Sequence, residues 1–210
     1  MEKFGKLTGI AASLPYENIN TDAVIPVRWI VNYGWDLGEG LFGGWRYDAA
    51  GKEKPDFILN QPPFRQARIL LAGRNFGCGS SREEAVWALV GFGIRCVIAP
   101  SFGDIFFENS FKNSLLPIRM SAADMAAITG DKTFASNSVL SVDLQACRVT
   151  VPGGTADIAF EVEESRRKAL LMGLDHIDLT LLDASEIAAF QARDRTRRSW
   201  IYRSEQKHDG

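Results

Sequence analysis

Histidine is scarce in this chain, and its scarcity disfavours one common kind of catalytic centre. Only two of the 210 residues are histidines, His176 and His208, and His208 lies in a polar tail. A Ser-His-Asp triad needs an imidazole that can reach the nucleophilic serine, so this type of active site is not favoured.

Cysteine is nearly as rare. Cys78, Cys96 and Cys147 are far apart in the sequence, and no CxxC pair occurs. This spacing predicts that the chain by itself builds neither a zinc site nor an iron–sulfur cradle. An odd number of dispersed cysteines is typical of a reducing compartment, which favours a cytoplasmic protein.

Long apolar runs and long runs of one charge are also missing. No apolar stretch reaches the roughly 18 residues that a membrane-spanning helix needs, and residues 1–6 lack the apolar core of a signal peptide. The net charge is −2. The one basic cluster, at 193–198, is interrupted by Asp194, which predicts a solvated helix face or a subunit contact. We therefore expect neither membrane nor nucleic-acid binding.

Short apolar runs and helical patterns alternate along the rest of the chain. Strands are predicted at 4–11, 68–72, 96–99, 115–120, 139–144, 148–151 and 156–162, and helices at 81–90, 104–112, 165–172 and 184–193. This order predicts a single α/β domain with a mixed sheet. Residues 32–56 are rich in glycine and aromatics and form a long connection, which is typical of a functional lid.

The segment 73–85 carries the chemistry. It follows a predicted strand and reads Gly-Arg-Asn-Phe-Gly-Cys-Gly-Ser-Ser-Arg-Glu-Glu-Ala. Gly77 and Gly79 permit positive φ or close approach of a ligand. Ser80 with Glu83 three residues later has the spacing of a capping box, and a helix N-terminus binds anions. Arg82 can add a bidentate grip on a carboxylate or phosphate.

Other glycine motifs do not match this segment, although a glycine loop with a serine cap also occurs in ordinary architecture. A P-loop needs Gly-Lys-Ser/Thr, and no lysine is present here. A dinucleotide fingerprint needs a third glycine where Arg82 stands, and a nucleophile elbow needs a glycine where Glu83 stands.

Several ordered motifs together resemble the aconitase swivelling-domain family, and within it the separate small subunits of the isopropylmalate isomerases. The first is Phe-Gly-Cys-Gly-Ser-Ser-Arg-Glu at 76–83, and the second is Asn-Ile-Asn-Thr-Asp-Ala-Val-Ile-Pro at 18–26. The others are the segments 97–106, 109–111, 113–117, 172–175 and 179–181. The resemblance spans nearly the whole chain. It implies one swivelling domain over 1–210, with mixed β-sheet layers (β/β/α) and flanking helices, a core to about 172, a helical extension over 173–204 and a disordered tail at 205–210.

The same resemblance implies a heteromeric hydro-lyase that interconverts 2-isopropylmalate and 3-isopropylmalate in leucine biosynthesis. A large partner subunit, in a heterodimer or heterotetramer, would hold a [4Fe–4S] cluster, one iron of which acts as a Lewis acid on the dicarboxylate substrate. This chain would hold no metal itself and would be inactive without the partner.

The resemblance also implies the role of each site residue. Ser80 matches the base that removes the proton from the carbon next to the one carrying the hydroxyl. The expected substrate-binding residues are Ser81, Arg82, Asp22 and Arg28, and the loop glycines are Gly77 and Gly79.

Two departures from the family pattern bear on the substrate. Glu84 stands where many relatives have a histidine, and residues 32–44 lack a basic residue often found there. A related diacid such as citramalate or another methylmalate therefore stays open as the substrate. So does a different class of function, in which the chain is a non-catalytic anion-binding module of the same fold.

Overall fold

The computed structural model describes residues 2–31, 37–80 and 82–206. The chain divides into two compact units, Met1–Gly173 and Leu174–Gly210. The first carries the whole β-sheet and every motif from 18 to 117.

Seven strands form one mixed sheet in the order β4-β3-β2-β1-β5-β6-β7. Strands β1 to β4 are parallel to one another, and β5 to β7 are antiparallel to their neighbours. The strands are β1 Lys6–Leu14, β2 Ile69–Ala72, β3 Cys96–Ala99, β4 Leu116–Arg119, β5 Val139–Asp143, β6 Arg148–Thr150 and β7 Asp157–Ala159.

Strand β1 joins the two halves of the sheet by changing partner along its length. Residues 6–10 pair antiparallel with β5, and residues 11–14 pair parallel with β2. The long strand therefore belongs to both halves.

The described residues contain eleven α-helices. They are α1 Thr21–Val24, α2 Val27–Val31, α3 Leu37–Gly40, α4 Gly43–Arg46, α5 Glu84–Phe92, α6 Asp104–Lys112, α7 Ala122–Gly130, α8 Lys132–Asn137, α9 Glu164–Met172, α10 His176–Leu181 and α11 Ala184–Arg197. Short 3-10 helices lie at Ile58–Asn60, Phe64–Gln66 and Ser199–Gln206. No helix in the described part of the chain is long and apolar enough to cross a membrane.

Alternating side chains of the parallel strands belong to two separate hydrophobic cores, one on each face of the sheet. Leu70 and Val97 pack with helices α5 and α6 on one face of the sheet. Leu71 and Ile98 lie on the other face, where they share a core with Val142 of β5. Strands β2 and β3 are therefore buried on both faces, which is why they read as uninterrupted apolar runs.

The predicted mixed α/β class is confirmed, and β3 and α6 begin and end at the predicted residues. Helices α7 and α8 are not among the predicted elements. Helix α7 buries only Ile128, so its sequence carries almost no apolar periodicity. The long connection at 32–56 contains α3 and α4 where it is described. The division into core, extension and tail stays a prediction, and 207–210 lie outside the described residues.

The second unit consists of α10, α11 and the final 3-10 helix. Asp175 and Asp178 form a capping box at the start of α10. In α11, the buried carboxylate of Asp194 accepts hydrogen bonds from Arg198 Nε at 2.5 Å and from the Tyr202 hydroxyl at 2.8 Å. The bond from Arg198, followed by the one from Tyr202, lowers the pKa of Asp194.

Asp131 ties α8 to the turn that follows β6. Its carboxylate caps α8 through the backbone N–H of Thr133 at 2.8 Å, and it accepts the N–H of Thr155 at 2.7 Å and of Ala156 at 3.2 Å. These bonds, that from Thr155 foremost, hold the pKa of Asp131 well below its ordinary value of 3.8.

We expect Asp131→Asn to lower the melting temperature of the chain, because the amide directs N–H groups at backbone donors. A carboxyl pKa that is depressed in the folded state contributes stability above its unfolded pKa, and this stability is lost as the pH falls below about 4 toward the folded value. The wild type should therefore lose stability more steeply than the variant in thermal melts between pH 5 and pH 2.

The matched control is Asp143→Asn, because Asp143 accepts one backbone N–H through Oδ1, an interaction that an amide oxygen keeps. An Asp131→Asn variant that melts like this control at every pH would contradict the assignment.

Candidate functional site

The site lies at the end of the sheet that is formed by the carboxyl ends of the parallel strands β1, β2 and β3. Ligands of open parallel sheets bind at the carboxyl ends of the strands. Three segments follow these ends, at 15–22, 73–83 and 100–103, and they include the motif at 76–83 and the first part of the motif at 18–26.

Backbone hydrogen bonds join the glycine loop to the segment after β1. Gly77 N–H donates to the Ile19 carbonyl at 2.7 Å, and Thr21 N–H donates to the Cys78 carbonyl at 3.0 Å. Asn20 and Cys78 thereby form a parallel bridge. The pairing of β1 with β2 thus resumes beyond the ends of both strands.

The glycine loop is fixed in the same way on its other side. Phe76 N–H donates to the Ser101 carbonyl at 3.0 Å, and the Phe76 carbonyl accepts Gly103 N–H at 2.9 Å. The Ser101 hydroxyl accepts the N–H of Asn75 at 2.9 Å. The glycine loop is therefore hydrogen-bonded on one side to the segment that follows β1 and on the other side to the segment that follows β3.

Both predicted loop glycines have positive φ, which is +72° at Gly77 and +91° at Gly79. A Cβ on Gly77 would also lie 2.3 Å from Cγ of the Phe106 ring, whereas one on Gly79 would meet only Asn20 Cβ at 3.5 Å. Gly77 thus serves both conformation and packing. Gly79 serves conformation.

Two of the predicted site residues, Arg82 and Asp22, are in contact beside this loop, and Ser80 is bonded to Thr21, the residue before Asp22. Ser80 is exposed, and its carbonyl accepts the hydroxyl of Thr21 at 3.0 Å. Arg82 Nη1 forms an ion pair with Oδ1 of Asp22, the second residue of α1. The Arg82 side chain is 24% exposed and that of Asp22 is 53% exposed, so the pair borders solvent. Ser81 lies outside the described residues.

The capping-box prediction was wrong. Helix α5 begins at Glu84, its N-cap position is Glu83, and no side chain caps it. Ser80 and Arg82 precede the helix because their contacts with Thr21 and Asp22 hold the chain to α1. The capped helix terminus expected from the sequence is not formed, and the nearest cationic residue along the chain from Ser80 in this turn is Arg82, two residues later.

Arg28 lies on α2, within a different set of contacts. Its guanidinium donates to the Gly43 carbonyl at 3.1 Å, and it lines a depression with Pro26, Tyr47 and Lys54. The substrate-binding role expected for Arg28 stays a prediction.

Sequence reasoning missed the residues that brace the loops. Asn18 and Asn75 both have positive φ, and Asn75 Nδ2 donates to Asn18 Oδ1 at 2.8 Å. Gly103 brings its segment so close that a Cβ there would lie 2.6 Å from the Gly77 carbonyl oxygen. Asparagine next to loop motifs was the available signal, because it tolerates the left-handed region better than other non-glycine residues.

The donor set of the described residues does not fit a metal or cluster site. The described residues contain no group of three or more His, Cys, Asp or Glu side chains placed to hold an ion. Cys96 is fully buried in β3, and burial raises the pKa of its thiol far above the ordinary value, so it stays protonated. Cys78 and Cys147 are free thiols on separate loops.

Comparison with known proteins agrees with this geometry. Residues 1–123 match the family model described as the aconitase C-terminal domain, so fold and site define a domain of the aconitase type. The chain is 50% identical over 201 residues to the 3-isopropylmalate dehydratase small subunit of Rhodospirillum centenum, covering 95% of this chain and 98% of the relative. It is 51% identical over 203 residues to that of Sinorhizobium fredii, covering 95% and 100%. The chain belongs to the family of 3-isopropylmalate dehydratase small subunits, as the sequence motifs predicted.

A solved structure supports the fold. The crystal structure of 3-isopropylmalate dehydratase from Methanocaldococcus jannaschii matches with a TM-score of 0.62 at 23% identity, over 89% of this chain and 99% of that chain. At this identity the match is evidence for the shared fold.

We expect Gly77→Ala to destabilise the first unit by about 3 kcal/mol, because the left-handed backbone costs an alanine about 1–2 kcal/mol and the contact with Phe106 adds overpacking. Gly79→Ala should cost only about 1 kcal/mol, since its Cβ has room. Chemical denaturation of both variants measures the difference.

The control is Gly5→Ala, where a Cβ meets nothing within 4 Å and φ is not positive. Equal losses at Gly77 and Gly79 would show that contact with Phe106 does not matter.

Proposed function

We propose that this chain is the small subunit of a heteromeric hydro-lyase that interconverts 2-isopropylmalate and 3-isopropylmalate, the isomerisation step of leucine biosynthesis. The single observation that carries the proposal is the arginine–aspartate pair beside an exposed serine, in a chain half identical to relatives of that name. The reaction removes water from one carbon and returns it to the neighbouring carbon.

Arg82 is the proposed binder of a substrate carboxylate. Its planar guanidinium presents five N–H donors in a fork that suits a carboxylate, and the ion pair with Asp22 engages its Nη1. Because most of the Arg82 side chain is shielded from water, its interaction with an anion is screened less than at an open surface. Asp22 then orients the fork while other donors face the substrate.

Ser80 is the proposed base that removes the proton from carbon. A serine hydroxyl becomes basic only where its alkoxide is strongly stabilised, and preorganised donors in a site closed to water supply that stabilisation. Arg82, two residues further on, is the cation close to it in sequence. Arg82 holds the substrate carboxylate so that the C–H bond to be broken faces Ser80.

A large partner subunit completes the site in this proposal. Ser80 and Asp22 border solvent in this chain, so a second polypeptide is needed to exclude water from them. The relatives' name, small subunit, agrees with such a partner. The [4Fe–4S] cluster belongs to the large subunit in this assembly, because the donor set of the described residues here does not fit one. The assembly is a heterodimer or heterotetramer in the cytoplasm.

We expect the purified chain to show no hydro-lyase activity until it is mixed with a cluster-bearing large subunit of the family. The mixture should then interconvert the two isopropylmalates, which is followed by the ultraviolet absorbance of the unsaturated intermediate acid. Citramalate and other methylmalates are assayed in parallel. Turnover by the isolated chain, or a mixture that prefers citramalate, would contradict the proposed assignment.

We expect Ser80→Ala to reduce kcat of the reconstituted pair roughly 10³-fold, the size typical of losing a positioned base. Arg82→Lys should mainly raise KM, because an ammonium cannot make the bidentate contact. Steady-state kinetics separates the two effects.

Ser136→Ala is the control for the first variant, because Ser136 is an exposed serine on α8 whose hydroxyl donates locally, to the Thr133 carbonyl. A Ser80→Ala enzyme with kcat near that of this control would remove Ser80 from the role of base.

A further inference from the structure

Asn113, the C-cap residue that follows α6, is hydrogen-bonded to the start of α5. Its side-chain Nδ2 donates to Glu83 Oε1 at 2.7 Å and to the Asn109 carbonyl at 2.9 Å, and its Oδ1 accepts Trp87 Nε1 at 2.9 Å. Glu83 follows Arg82 directly, and Trp87 lies one helical turn later. The amide therefore grips both ends of the first turn of α5.

The chemistry of these partners requires an amide at position 113. An indole N–H can only donate, and a carboxylate and a carbonyl can only accept. One side chain must therefore offer both an acceptor and two donors in a small space. Aspartate has nearly the same shape but would direct carboxylate oxygens at Glu83 and at the Asn109 carbonyl.

The hydrogen bonds of Asn113 account for two features that packing of a hydrophobic core would not require. Trp87 is 44% exposed although it lies on a largely apolar helix, and its indole is held by Asn113. Glu83 occupies the N-cap position without capping the helix, because Asn113 binds its carboxylate instead.

The hydrogen bonds of Asn113 hold the backbone next to Arg82, the proposed binder of the substrate carboxylate. The Arg82 carbonyl accepts Ala85 N–H at 3.3 Å, and the Glu83 carbonyl accepts the N–H groups of Val86 and Trp87 at 2.9 and 3.1 Å. The Arg82 side chain forms its ion pair with Asp22 of α1, whose carboxylate-bearing side chain is 53% exposed. A start of α5 that lacks a side-chain cap would fray without a second anchor.

We propose that Asn113 is a positioning residue for Arg82: by bonding Glu83 and Trp87 it holds the first turn of α5 against the end of α6, and so aims the guanidinium at the substrate carboxylate. This inference rests on the proposed function of Arg82.

The test compares Asn113→Asp with the double variant Asn113→Asp/Glu83→Gln in the reconstituted pair. The single change should raise KM for isopropylmalate about tenfold with kcat within about threefold, because a carboxylate clamp contributes binding to substrate and transition state alike. The double variant exchanges the acid and the amide. The new amide at position 83 then donates to the new carboxylate at position 113. KM should return only to about threefold above the wild type, because the Asn109 carbonyl still lacks its donor.

Asn137→Asp is the matched control, because Asn137 is exposed on α8 and its Oδ1 acceptor is kept by the substitution. It introduces the same charge and should leave KM unchanged. A wild-type KM in Asn113→Asp, or a raised KM that Glu83→Gln does not restore, overturns the proposal. If Asn113→Asp fails to fold, Glu83→Ala breaks the same bond from the other side and must raise KM by a similar factor.

Amide hydrogen exchange on the full-length chain separates this inference from the proposed function. Asn113→Asp should speed exchange at the N–H groups of residues 85–87 relative to Asn137→Asp, whatever the substrate of the enzyme proves to be. An unchanged exchange rate at the N–H groups of residues 85–87 refutes the positioning role of Asn113, even if the reconstituted pair is fully active on isopropylmalate. Faster exchange in a pair that does not act on isopropylmalate would refute the proposed function and leave the anchor in place.

Discussion

Backbone hydrogen bonds that extend a parallel sheet beyond its strands are the constraint on which the rest of this structure depends. The bonds from Gly77 to Ile19 and from Phe76 to Ser101 hold three loops at one sheet edge. They require a glycine where the loop passes the Phe106 ring, and they bring Arg82 to Asp22. Without this register, residues some sixty positions apart in sequence would not meet.

The ion pair between Arg82 and Asp22 also determines the net charge that the unliganded site presents to a ligand. A dicarboxylate that approaches Arg82 encounters a cation already partnered by Asp22, so it must share or replace that carboxylate. Because Asp22 neutralises Arg82, this site alone does not favour a ligand with two anionic groups over a ligand with one. It favours the dianion only when a further cation is supplied. In the proposed complex this contribution falls to the large subunit.

Much of the fold could be read from the sequence, because buried parallel strands leave short apolar runs that only strands of that length explain. The boundaries of β3 and α6 follow from Pro100 and from the phenylalanines around Phe106. Helix α7 could not be read, since a surface helix with one buried residue has no apolar stripe. The pairing across β1 could not be read either, because register depends on contacts between distant segments.

The site was predictable in part, for a related reason. Glycine, serine and arginine at fixed spacing indicated an anion-binding loop, and the motif at 18–26 indicated Asp22. The start of α5 was misjudged, because the Ser80–Glu83 spacing fits a capping box locally while contacts with Thr21 and Asp22 prevent the helix from beginning there. Tertiary contacts decided between two locally acceptable conformations.

The shared strand β1 has a consequence for the order in which the molecule can be made. It is synthesised before the other six strands yet lies in the middle of the sheet, and its Thr8 hydroxyl donates to the Ser141 hydroxyl, 133 residues further along the chain. The parallel half can assemble once β2 to β4 have emerged, whereas the amino-terminal end of β1 keeps one edge unpaired until β5 is synthesised. During translation this exposed edge is the part of the nascent chain most open to pairing with another strand.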